Sequence, residues 1–84
     1  MQSKKEKKQI VQNIIAFMKA SEYDPLALAR YTYLLSLDEK THRCNDTQLY
    51  ELMYTLSGMD AGAEFTLTED EVLEMLRVYL LSIE

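Results

Sequence analysis

The sequence is poor in the residues that build tight turns, disulfide frameworks or membrane spans. Two glycines and one proline in 84 residues supply little of the turn chemistry that several β-hairpins require, which argues against a sheet and for helices. The single cysteine, Cys44, cannot close an intramolecular disulfide, whereas small secreted domains usually depend on several. The expected home is therefore a reducing, cytoplasmic compartment. No apolar run approaches the roughly 20 residues needed to cross a bilayer. The N-terminal MQSKKEKKQ precedes an apolar stretch interrupted by Gln12, Asn13 and Lys19, a pattern unlike a signal peptide. Also missing are a G-x-S-x-G elbow, an HExxH pair and a phosphate-cradling glycine loop.

What remains is enough for one helical domain. The hydrophobic content of 48% is ordinary for a globular chain and too high for disorder. A chain of this size buries only roughly 60 to 65% of its unfolded surface, so stability is expected to be modest. The net charge of −5 conceals a division. Residues 1–19 carry Lys4, Lys5, Lys7, Lys8 and Lys19 against Glu6, a balance of +4. Residues 20–84 carry four basic and thirteen acidic side chains, a balance of −9. Separation of this kind bears on partners rather than on fold.

Four helices are expected, at about 5–20, 25–37, 46–57 and 69–82, joined into a small all-α four-helix bundle that forms a single domain. In the first, Ile10, Val11, Ile14, Ile15, Phe17 and Met18 fall within a stripe of roughly 160°. The lysines before them oppose the macrodipole, and the first few residues are expected to fray. Asp24-Pro25 reads as a cap followed by proline at the first helical position. The helix it opens is apolar around most of its circumference, which predicts a buried, central element. Asn45 or Asp46 can cap the third helix, and Gly58 is its expected stop. Thr68 and Glu71 make a capping box for the fourth, whose main stripe leaves Val78 and Leu81 to one side. Phe65 and Leu67 are expected to tuck under the long connection between the last two helices.

Few residues suggest chemistry. Asp60 to Glu71 has the length of an EF-hand calcium loop, with Asp60, Glu64 and Glu71 at positions one, five and twelve, and this stretch resembles that family. Gly62 offers no ligand at position three, and Phe65 stands where the loop's turn needs glycine, while the capping box already accounts for Thr68 and Glu71. His42 and Cys44 are soft metal ligands without a second pair. Nor does a third group or a pocket complete a nucleophilic site around them. From Asp46 to Glu84 nine acidic residues face only Arg77, a balance that repels phosphates and leaves Lys4 to Lys8 as the one segment able to touch nucleic acid.

The expectation that follows is a non-enzymatic intracellular interaction protein, an adaptor, regulator or inhibitor, without cofactor or catalytic residues. Its acidic, tyrosine-bearing helical surface would bind a basic protein partner, with Glu64, Glu69, Asp70 and Glu74 facing that partner. Val78 and Leu81 would supply a homodimer interface. A divalent-metal site at Asp60, Glu64 and Glu71, and nucleic-acid binding through the N-terminal lysines, are the alternatives.

Overall fold

Each helix after the first begins where a side chain can satisfy its free backbone amides. The Asp24 carboxylate accepts from the amides of Leu26 (3.1 Å) and Ala27 (3.3 Å), with Pro25 at the first helical position. Thr68 Oγ1 accepts from the Glu71 amide (3.1 Å) while Glu71 Oε1 accepts from the Thr68 amide (2.8 Å), completing the expected capping box. Of the two caps open to the third helix, it is Asp46 that accepts from the Leu49 amide, at 3.2 Å.

The computed structural model describes residues 2–39, 41 and 46–83. The sequence expectations that fall on His42, Cys44 and Asn45 lie outside the described residues. Among those described, the elements are α1 (Gln2–Lys19), α2 (Pro25–Ser36), α3 (Thr47–Ser57) and α4 (Glu69–Ser82), with two short 3-10 turns, Gly58–Ala61 and Ala63–Phe65, between α3 and α4 and no strand. The result is the all-α four-helix bundle that the missing turn chemistry implies. Helix α1 runs from Gln2, three residues before its expected start. No helix among the described residues is long and apolar enough to cross a membrane.

One core joins the four helices. Ile10, Val11, Ile14 and Met18 come from α1, Leu49, Leu52, Met53 and Leu56 from α3, and Val72, Leu76 and Tyr79 from α4. Helix α2 adds Leu28 and Ala29 and is central to the packing: it makes its most extensive contact with α3 and also touches α1 and the first 3-10 turn. Thr32 is buried on the same face, its hydroxyl returned to the carbonyls of Leu28 (3.0 Å) and Ala29 (3.1 Å). Yet α2 is not enclosed. The other elements cover one side of it, and Leu26, Tyr33, Leu34 and Leu37 each remain more than half exposed.

Gly58 ends α3 where expected, as the residue after Ser57, but with φ at −83° the chain tightens directly into a 3-10 turn. The α3–α4 connection then departs from expectation at Phe65. The turn drives Met59, only 1% exposed, into the core, while Phe65 is left outside at 54%. Leu67 packs partly against the core as expected. The Tyr23 hydroxyl donates to its carbonyl at 2.6 Å, tying the connection to the residues just before α2.

Candidate functional site

On α3, Gln48, Glu51, Leu52 and Thr55 form one row, and on α4, Met75, Val78, Tyr79 and Ser82 form another with the same steps of three, one and three residues. Such rows lie along one side of a helix. The two face each other across a groove of ≈ 420 Å³ that also reaches Glu74. Leu52 and Tyr79, both buried, make the floor; Met75 is half-buried and Val78 is 53% exposed on the wall. Glu51 and Glu74, both exposed, place a carboxylate on each rim. A larger hollow of ≈ 530 Å³ at the α1–α2 corner is walled partly by the polar connecting turn of Ser21, Glu22 and Asp24, rather than by two apolar helix faces.

Asp46 fixes one end of the groove. Its Oδ2 accepts from Tyr79 Oη at 2.7 Å and pairs with Lys7 Nζ at 3.1 Å, while its Oδ1 holds the α3 amide of Leu49. One carboxylate therefore links α1, α3 and α4. Burial pushes the Asp46 carboxyl up, but donation from Tyr79, Lys7 and the Leu49 amide, with the lysine charge, outweighs it and holds the group below the usual aspartate range. Beyond Asp46, Lys4 and Lys7 border a hollow shared with Gln48 and Ser82. The groove is thus basic past one end and acidic along its rim. Arg77 forms a two-point contact with Glu74, Nη2 to Oε2 at 2.6 Å and Nε to Oε1 at 3.3 Å, but both side chains stay mostly exposed.

The expected partner-facing acids are divided between the second 3-10 turn, which carries Glu64, and the first two turns of α4, which carry Glu69, Asp70 and Glu74. Only Glu74 borders the groove. Glu69 and Glu71 act on Tyr23, whose hydroxyl is raised first by burial and then by their two charges. Glu64 stands exposed on the second 3-10 turn and Asp70 is exposed in the first turn of α4. Asp60, Glu64 and Glu71 do not converge: among the described residues no three His, Cys, Asp or Glu side chains are grouped to hold a metal ion. The N-terminal lysines are divided as well, with Lys4 and Lys5 exposed and Lys7 engaged by Asp46. Of the expected dimer contacts, Val78 lines the groove, while Leu81, 58% exposed, does not.

Glu51 is the site residue that sequence pattern passes over. Read along α3 alone, it faces away from the apolar stripe together with Thr55. Its spacing to Thr55 matches that of Glu74 to Val78, a signal that acquires meaning only when the two helices are set side by side. No protein family, no curated protein and no solved structure matches the chain.

Proposed function

We propose that this protein is a small non-enzymatic interaction module, an adaptor, regulator or inhibitor, that holds a basic amphipathic helix of a partner protein in the α3–α4 groove. The observation that carries the reading is the groove itself, with an apolar floor of Leu52 and Tyr79 and apolar walls of Met75 and Val78 between the carboxylates of Glu51 and Glu74. A helix laid there buries leucine-like anchors at i, i+3 and i+7 against the floor and sets its lysines or arginines against the rims. The same charge pattern favours one direction, with the acidic or C-terminal end of the guest toward Lys4 and its basic or N-terminal end toward Glu74. Val78, half exposed on the wall, offers such a guest a further apolar contact.

The test is an NMR titration of isotope-labelled protein with a synthetic helical peptide carrying leucines on one face and lysines on the other. Shifts should concentrate on Leu52, Thr55, Met75 and Val78, and Val78→Asp should weaken binding about tenfold or more. Glu51→Gln with Glu74→Gln should flatten the salt dependence. Equal binding by Val78→Asp, or shifts spread over Glu64 and Asp70 that spare the groove, would overturn the proposal.

A further inference from the structure

The outer face of α2 is the largest collection of unpartnered apolar side chains in the described structure. Four of the nine exposed large hydrophobics lie on it: Leu26 (61%), Tyr33 (55%), Leu34 (60%) and Leu37 (59%). At about 100° per residue, Leu26, Arg30, Tyr33 and Leu37 fall within a band of roughly 60°, with Leu34 beside it. Arg30 is the only charged side chain in α2. The face points away from the groove, because α2 packs on α3 and α1 rather than on α4.

We propose that a second copy of this chain covers that face, α2 against α2 in antiparallel register about a two-fold axis. The spacing along the face, four residues from Leu26 to Arg30, three to Tyr33 and four to Leu37, reads identically in both directions. An antiparallel partner helix therefore sets Leu26 opposite the second copy's Leu37 and Arg30 opposite its Tyr33, and the symmetry makes each pair twice. A two-fold interface requires self-complementarity of this kind. The charge agrees: each guanidinium meets an aromatic ring, an attractive cation–π arrangement, whereas a parallel register would set Arg30 against Arg30.

Area sets the strength. The four apolar side chains expose on the order of 400 Å² per copy, about half of what one partner contributes to a standard stable interface. Arg30 and the flank of α2 toward α1 extend the contact. Phe17 lies on that flank, 36% exposed and stacked on Tyr31 with ring centroids 4.4 Å apart. The dimer is thus one that dissociates on dilution, and it leaves the α3–α4 groove of each copy open.

Sedimentation equilibrium of the full chain from low-micromolar to near-millimolar concentration tests this. The mass should rise from that of one chain to that of two and stop there. Leu26→Glu with Leu37→Glu, both at exposed positions, should raise the dissociation constant about a hundredfold or more while the helical circular dichroism is retained. Val78→Glu with Leu81→Glu should leave the doubled mass unchanged. Register is read by cysteine cross-linking in a Cys44→Ser background. A mixture of Leu26→Cys and Leu37→Cys chains should join under mild oxidation, and neither alone should. Three results would overturn the proposal: a single-chain mass at every concentration, which would leave α2 to a different protein; a dimer abolished only by the α4 substitutions; or cross-linking of Leu26→Cys with itself.

Discussion

Asp46 shows how much one side chain can connect in so short a chain. It caps α3, receives the Tyr79 hydroxyl of α4 and pairs with Lys7 of α1. Asp46→Ala removes the cap, at about 1 kcal/mol, and strands two largely buried donors, so its total cost should be about 2–4 kcal/mol in chemical denaturation. Asp46→Asn isolates the charge, because asparagine caps nearly as well. The sign of the pH effect follows from the lowered carboxyl. A group that binds its proton less tightly folded than unfolded stabilises fully above the ordinary aspartate range and loses that contribution as pH falls through the depressed folded value. The stability gap between wild type and Asp46→Asn should therefore be widest near neutrality and narrow progressively below about pH 4. A gap that widens in acid would contradict the assignment.

The elements divide into those whose ends are written locally and those that depend on neighbours. Asp24-Pro25 and Thr68 to Glu71 announce α2 and α4 because caps act within one turn, and the first and third stripes are equally legible from period alone. Less legible is the connection after α3, where Met59 and Phe65 are both apolar and only the path of the 3-10 turn decides which is buried. Met59→Ala should cost about 2–4 kcal/mol in thermal or denaturant unfolding, and Phe65→Ala no more than about 0.5 kcal/mol. The reverse order would mean that the connection packs as sequence pattern alone suggests. Helix α2 gives the same lesson on a larger scale. Its nearly continuous apolar circumference is plain in the sequence, but the pattern cannot distinguish a helix enclosed by its own chain from one with a face left for another. The groove was illegible for a related reason: Glu51 and Glu74 look like solvated charges until α3 and α4 are set together.

At the scale of the whole molecule, the division of charge separates two ways in which copies of this chain could meet. With +4 on residues 1–19 and −9 on the rest, electrostatics alone would stack the basic helix of one copy on the acidic part of the next. That contact is head-to-tail and need not close at two. Added salt would dissolve it. The α2 face behaves oppositely, because its contact is apolar and brings together two chains of net −5, whose mutual repulsion salt screens. Raising sodium chloride from low to roughly physiological strength, where the Debye length contracts to about 8 Å, should leave the α2 dimer unchanged or modestly tighter. Over the same range the basic peptide should leave the α3–α4 groove several-fold more readily, since its lysines lose the screened carboxylates of Glu51 and Glu74. Sedimentation and peptide titration on one preparation read both trends. Self-association that weakens with salt and continues past two copies would assign the contact to the charged ends of the molecule instead of to Leu26, Tyr33 and Leu37.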